Sequence, residues 1–491
     1  MVRNREGIAM KQPTRREFLQ STGQGALTAA LMSGGRASAA SARRPNILLF
    51  FPDQQRPDWT QFNPDVPVPT PNIAALAARG TRFTDAICPS PLCAPSRACL
   101  AAGKEYDRCG VPSNSVDYPK DQTTFYTRLR EGGYRVLGCG KFDLHKPRAT
   151  WGLDGKTDLQ DWGFTDGIDN AGKWDGWMAY AARPRGPKDP YYAYLNRLDP
   201  PLAQVHYDDM ATRRKDPQQS YGNTGPTPIP DAHYIDNWIG RNGLALIDAT
   251  PVGDPWFMQV NFNGPHEPND ITDRMHRGYY GPARIIDGFP QPHHGDGELN
   301  AATHVRVRQN YSALIENIDR MLGLYLRKLE ERGELDNTIV VYSSDHGEML
   351  GDHGRWGKNQ PYQASAGVPL VVAGPGVRTG SVNDRPQTTL DLTATFLDYA
   401  GIARPDDMDS RSLRPVLEAD GATHREVVLS GLDAWRLAYD GRYKLIRGPL
   451  HKGDDSDITL FGLEADPQES ANVAADHPEV VERLSAHLPK A

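Results

Sequence analysis

Five stretches of this chain read as strands: residues 46–51, a continuous apolar run, and 135–139, 256–262, 338–344 and 368–373, where apolar residues cluster. An unbroken apolar run predicts a strand buried on both faces, as in a parallel sheet; an alternating run would predict a sheet with one face in water. Segments of helical period lie between them. Residues 71–79 read as a helix with Thr70 as cap, Pro71 in the first turn and Gly80 as stop. Residues 123–129 read as a helix ended by Gly132 and Gly133, and residues 390–399 as one ended by Gly401. The clearest helix is 305–332, where Leu314, Ile315, Ile318, Met321, Leu322 and Leu329 share one face.

Two regions break this rhythm. From about Trp151 to Asn242 the period is poor and Gly, Pro, Trp, Tyr and Asp abound, which predicts long loops over the C-terminal edge of the sheet. Trp174, Trp177 and Tyr180 there either line a sugar or aryl pocket or pack the loops themselves. From about Arg414 short strands are expected at 427–430, 435–439, 443–446 and 460–461, with a hairpin at Asp440-Gly441 and a last helix at 478–488. The fold class expected is α/β: a large mixed, mostly parallel sheet sandwiched by helices, with a small C-terminal antiparallel α+β subdomain. The expected division is 41–413 for the main domain and 414–491 for the subdomain.

Length and charge narrow the function. A chain of 491 residues is ample for a large core. Its 55 basic and 62 acidic residues give a net charge of -7, without the basic face of a nucleic-acid binder. No run of ~18 apolar residues predicts a membrane-spanning helix. The five cysteines all fall between Cys88 and Cys139, with no paired Cys-x-x-Cys, so neither a disulfide framework nor a zinc cluster is expected. Thr14-Arg15-Arg16-Glu17-Phe18-Leu19, the apolar run 26–32 and Ala37-Ser38-Ala39 together look like a twin-arginine export signal over residues 1–40. That predicts a periplasmic or secreted protein, exported folded, with the export machinery as a transient partner.

The candidate chemistry sits where the apolar runs end. Asp53 and Gln54 follow the first, and Asp345 and His346 the fourth. Open α/β sheets place their sites beyond the C-terminal ends of strands. Asp53, Asp345 and the amide oxygen of Gln54 are hard oxygen ligands suited to Ca²⁺ or Mg²⁺, although Asp53 could equally cap a helix and Asp345 and His346 a turn. Lys141 and His145 follow the second run, where each either meets an anion or faces solvent. Cys93-Ala94-Pro95-Ser96-Arg97 reads as a loop turning into a short helix stopped by Gly103, with Cys93 just before its N-terminus. Free N–H groups favour an anion there, and Arg97 is placed to bind that anion or hold the loop. Cys93 is either a nucleophile or one buried small residue among several.

The string Cys93-x-Pro95-Ser96-Arg97-x-x-Leu100-x-x-Gly103-Lys104 resembles the signature of the sulfatase family. Gly140-Lys141, the turn Pro265-His266-Glu267-Pro268 and the run from Glu348 to Lys358 resemble it as well. The resemblance implies an alkaline-phosphatase-like fold and a sulfuric ester hydrolase. It implies that a formylglycine-generating enzyme converts Cys93 to formylglycine, whose hydrate attacks sulfur. It implies a divalent cation, Ca²⁺ first and Mg²⁺ second, held by Asp53, Gln54, Cys93, Asp345 and His346. Arg97, Lys141 and Lys358 would offset the sulfate charge, and His266 would protonate the departing alcohol. The family usually places a histidine closer to Lys141 than His145 stands; Asp143 occupies that position. A sulfated carbohydrate is the expected ester. Two rival readings are a phosphonate or phosphate ester hydrolase of the same superfamily and a non-catalytic binder of sulfated glycans.

Overall fold

The computed structural model describes residues 43–149, 151–215, 221–280, 288–295 and 299–489. The expected export signal lies outside the described residues. Strand β1 (Asn46–Asp53) is buried at all eight positions. It is followed by β2 (Gly80–Phe83), β3 (Ala86–Ile87), β4 (Arg135–Gly140), β5 (Asp166–Asp169), β6 (Trp256–Pro265), β7 (Thr338–Ser343), β8 (Leu370–Ala373), β9 (Ser381–Asn383) and β10 (Gln387–Thr388). The last four strands are β11 (Val428–Leu432), β12 (Trp435–Tyr439), β13 (Tyr443–Arg447) and β14 (Ile458–Gly462).

Eight strands form one sheet in the order β5-β4-β6-β1-β7-β8-β2-β9. Within it β8 runs antiparallel to β7 and β2, while the other pairings are parallel. The five apolar runs are β4, β6, β1, β7 and β8, contiguous in this sheet. Alternation along β1 explains why its run is unbroken. Ile47, Leu49 and Phe51 pack into one core, and Leu48 and Phe50 into another on the opposite face. Each such side chain contributes roughly 1.5–3 kcal/mol when fully buried. The chain belongs to the α/β class expected, with β11-β12-β13-β14 as a separate antiparallel sheet. The helix Pro478–Ser485 lays Val480 and Leu484 on that sheet, against Ala438, Leu445 and Leu460.

Two local expectations need correction, and one open choice is resolved. Thr70 does not cap the helix Pro71–Ala78; its Oγ1 accepts from the Gln61 N–H at 3.0 Å. The cap comes from the long helix Ala301–Glu331, whose Asp319 accepts from the N–H groups of Ile73 at 2.7 Å and Asn72 at 3.2 Å. A free helix end needs an acceptor but not a local one. Second, the stretch read as loops holds β5 and the helices Lys173–Ala181, Pro190–Asn196, Ala203–Arg213 and Ile235–Asp248. Their buried faces are built from Tyr180, Tyr191, Tyr192 and Trp238 as much as from aliphatic residues, so the usual period is faint. The Asp and Pro that suggested loops stand at helix starts, as Asp189 and Pro190 do. Of the two readings of the aromatic residues, packing is the one seen: Trp177 stacks on Tyr207 and Tyr180 on Tyr192, at 5.8 and 4.7 Å between ring centres. These rings pack the helices together.

Candidate active site

The C-terminal ends of β4, β6, β1 and β7 lie side by side and bring Lys141, His266, Asp53 and Asp345 to one edge of the sheet. Gly140 permits the close approach. Its φ is +113°, and a Cβ there would lie 1.8 Å from the Asn261 carbonyl oxygen on β6. The helix Cys93–Ala102 completes the edge and is buried at every position. It starts two residues earlier than Pro95 suggested. Cys93 is its first residue and Leu92 its cap, while Gly103 ends it at φ 66°.

Cys93 stands at the centre. Its Sγ is 3.2 Å from His346 Nε2 and 3.9 Å from Asp53 Oδ1. His346 Nε2 lies 3.7 Å from a carboxylate oxygen of both Asp53 and Asp345. One donor atom from each of these four residues falls within 4.8 Å of the other three, and all four residues are fully buried. Two buried carboxylates and an imidazole converging in this way fit a divalent cation. The sulfur is the soft member of the set. Conversion of Cys93 to formylglycine would exchange it for oxygen and make the donor set harder.

Basic groups surround this centre. Arg97 donates to Asp345 Oδ2 through Nε at 2.9 Å and to the Lys141 carbonyl through Nη1 at 2.5 Å. Lys141 Nζ bonds Asp53 and lies 3.2 Å from Asp143. Lys358 Nζ donates to Gln54 Oε1 at 2.5 Å and lies 2.6 Å from His266 Nε2. Burial pushes the Asp53 carboxyl up, but Lys141, His266, Arg97 and Lys358 outweigh it and hold it well below the usual range. Burial raises Asp345, which Arg97 does not fully offset beside the Asp53 charge. Burial and Asp53 push the Cys93 thiol up; Lys141, Lys358 and His346 more than reverse this and favour the thiolate. Burial opposes charging His266, yet Glu267 and Asp53 raise it to about 9.

The structure thus brings together Asp53, Cys93, Arg97, Lys141, Asp345 and His346, with Gln54, His266 and Lys358 beside them. His145 is placed differently. Its Nδ1 lies 2.7 Å from Asp158 and its Nε2 2.6 Å from Asp169, with the ring edge-on to Trp151 and Trp162. Both nitrogens are engaged by carboxylates, so His145 ties the loop after β4 to β5. Gln54 turns its amide nitrogen toward Glu267 at 3.0 Å and toward Glu348.

Glu267, Glu348, Lys173 and Tyr221 were not singled out from sequence. The first two sit inside the motifs already noted, as the variable residue of Pro-His-x-Pro and the residue after Asp345-His346-Gly347. Lys173 and Tyr221 come from the stretch read as loops and had no local signal. A cleft of about 1170 Å³ is lined by chain neighbours of the site residues and not by the site residues themselves. Leu92, Ser113, Asn359, Trp435, Arg436 and Lys452 are among its walls. Leu92 and Asn359 are the chain neighbours of Cys93 and Lys358. Ser113 precedes Asn114, whose side chain accepts from the Ala94 N–H at 3.0 Å.

The family profile described as Sulfatase matches residues 45–402, and that described as N-sulphoglucosamine sulphohydrolase, C-terminal, matches residues 351–491. The chain is 28% identical to a choline-sulfatase of Rhizobium meliloti, over 88% of this chain and 82% of that protein. It is 26% identical to an N-acetylglucosamine-6-O-sulfatase of Bacteroides thetaiotaomicron, over 90% and 85%. In structure it resembles the phosphonate monoester hydrolase of Silicibacter pomeroyi, with a TM-score of 0.72, 25% identity, and 90% and 94% of the two chains covered.

Proposed function

This chain belongs to the sulfatase family, and from that premise we propose that it hydrolyses a sulfate monoester of a carbohydrate at Cys93. It is a sulfuric ester hydrolase by family. The observation that carries the assignment of the site is the position of Cys93, with Asp53, Asp345 and His346 against its sulfur and Lys141, Lys358 and His266 around it. Conversion of Cys93 to formylglycine would supply an aldehyde hydrate as the nucleophile. A divalent cation, Ca²⁺ in this reading and Mg²⁺ as second choice, would be held by Asp53, Gln54, Asp345, His346 and residue 93, and would act as a Lewis acid toward the sulfate oxygens.

The remaining work falls to the chain's own groups. Arg97 holds Asp345 and the Lys141 backbone in place. Lys141 and Lys358 set fixed positive charge where the ester's negative charge collects. His266 holds a proton at Nε2 for the leaving oxygen. His145 acts only through the loop that it braces. The adjoining cleft is large for a small alkyl sulfate and suits an ester on one or more sugar rings. Similarity to an N-acetylglucosamine-6-O-sulfatase supports the same class.

Two measurements test this. The tryptic peptide 83–97, from protein made in a host with the formylglycine-generating enzyme, should carry an aldehyde at Cys93 and an unchanged thiol at Cys88. Two thiols would remove the nucleophile. Rates on a sulfated N-acetylglucosamine and on a phosphonate monoester should favour the sulfate. The reverse order would favour phosphonate hydrolysis, a second reading supported by the structural likeness to a phosphonate monoester hydrolase.

Export through the twin-arginine route to the periplasm or beyond rests on Arg15 and Arg16 with the apolar run behind them. Fractionation of cells making Arg15→Lys, Arg16→Lys protein should find it retained in the cytoplasm. The division at residues 413 and 414 is likewise part of this reading, with the second sheet as a subdomain that walls the cleft through Trp435 and Arg436.

A further inference from the structure

We propose that Glu267 is a positioning residue that holds the His266 ring by Nδ1 so that its Nε2 delivers the proton to the leaving oxygen. The proposal rests on the reading of His266 as proton donor and goes beyond it. His266 Nδ1 lies 3.0 Å from Glu267 Oε2 and 2.7 Å from the Glu267 carbonyl oxygen. Both are acceptors only, so Nδ1 carries a hydrogen and donates it. The neutral ring therefore keeps its hydrogen on Nδ1, and Nε2 is the nitrogen facing the site, 2.6 Å from Lys358 Nζ.

Glu267 is itself held. Its Oε2 accepts from Gln54 Nε2 at 3.0 Å and from the Tyr221 hydroxyl at 3.4 Å. The backbone of the turn is pinned separately. The buried Lys173 donates to the carbonyls of His266 and Pro268, each at 3.0 Å, and to Asp270 at 2.7 Å. The ring is therefore oriented from one side by a carboxylate and its main chain from another by an ammonium group. An imidazole that must hold and give up a proton gains from a fixed carboxylate partner, which stabilises its cation and sets its angle.

In the step, the bond between sulfur and the leaving oxygen breaks and its electron pair stays on oxygen. That oxygen takes the hydrogen from His266 Nε2. The ring, protonated at both nitrogens beforehand, ends neutral, with its hydrogen on Nδ1 and donated to Glu267.

The test compares Glu267→Gln with the native, formylglycine-bearing enzyme on two esters. One is a sulfated N-acetylglucosamine, whose alcohol leaves poorly without a proton. The other is 4-nitrophenyl sulfate, whose phenol leaves readily as the anion. Glu267→Gln should lower kcat on the sugar ester about 10- to 100-fold and on the nitrophenyl ester by far less, with KM little changed. The ratio of the two rates is the readout, because a partly folded preparation lowers both alike. An unchanged ratio in Glu267→Gln, with a shifted ratio in His266→Ala, would overturn the role of Glu267 alone. An unchanged ratio in both variants would overturn His266 as the donor, and the proposal with it. A measurement independent of turnover is the ¹⁵N spectrum of the histidines, with His266 identified by its loss in His266→Ala. Recorded at a pH where the ring is neutral, His266 should keep its hydrogen on Nδ1 in native protein and share it more with Nε2 in Glu267→Gln, where only the carbonyl of residue 267 still accepts it; identical spectra would overturn the proposal.

Discussion

Arg97 lays two nitrogens on one oxygen of Asp345, with Nε at 2.9 Å and Nη2 at 2.8 Å from Oδ2, across 248 residues of chain. The same Nη2 lies 3.7 Å from Asp53 Oδ2. One guanidinium therefore faces two buried carboxylates. Arg97→Ala should lose about 3–5 kcal/mol of stability, the range for breaking a buried pair and leaving charge behind. Arg97→Lys should recover part of that loss, since an ammonium group restores charge but not the planar fork. Urea melts of the three proteins decide it; an alanine variant as stable as native would refute the relationship.

His145 between Asp158 and Asp169 predicts a stability effect with a definite pH dependence. Burial lowers its pKa, but the bond to Asp169 and the charges of Asp169 and Asp158 leave it raised above the ordinary value. A raised histidine stabilises fully below the unfolded value of ~6.5, and that contribution fades as pH rises through the folded value. His145→Ala should therefore cost roughly 2–3 kcal/mol at pH 6 and less at pH 9. If His145 instead touched the substrate, KM for the sulfate ester would rise while the melting temperature stayed put.

Asp189 caps the helix Pro190–Asn196 by accepting from the Tyr192 N–H at 2.9 Å. It is buried, and burial outweighs its backbone hydrogen bonds and lifts its carboxyl to about 7. The folded protein then holds a proton that the unfolded chain has released, so stability falls as pH rises from ~4 to 7. Asp189→Asn keeps an acceptor at the cap and removes the titration. Its stability should exceed that of native protein at pH 8 by an amount on the order of 2 kcal/mol and match it near pH 4. Parallel pH profiles for the two proteins would contradict this.

A cation at Asp53, Asp345 and His346 would bind the folded chain and not the unfolded one. The melting temperature should then fall on treatment with a chelator and climb again with the logarithm of added Ca²⁺. Asp345→Asn should abolish the response. A melting temperature indifferent to Ca²⁺, Mg²⁺ and chelator would leave the four-residue cluster without its proposed occupant.

Local pattern found the frame of the fold because a strand buried on both faces gathers apolar residues, as β1, β6 and β7 do. It missed the short strands β2 and β5 and the helices of 173–248. Their burial rests on aromatic residues and on partners distant in sequence, which leave no steady period. The turns after β1, β4, β6 and β7 were legible because each lies where an apolar run stops, and the cysteine loop was legible through its motif.

By itself, the sequence determined which strands are buried, which residues stand at their ends and which family the motifs resemble. The tertiary structure alone decided the partners: Arg97 for Asp345, two carboxylates for His145, Asp319 as the cap of a helix far from it in sequence, and Glu267 for His266. The physical reason is that a buried charge or a free helix end demands compensation without specifying its source. Sequence reports the demand locally, and only the folded chain shows which residue meets it.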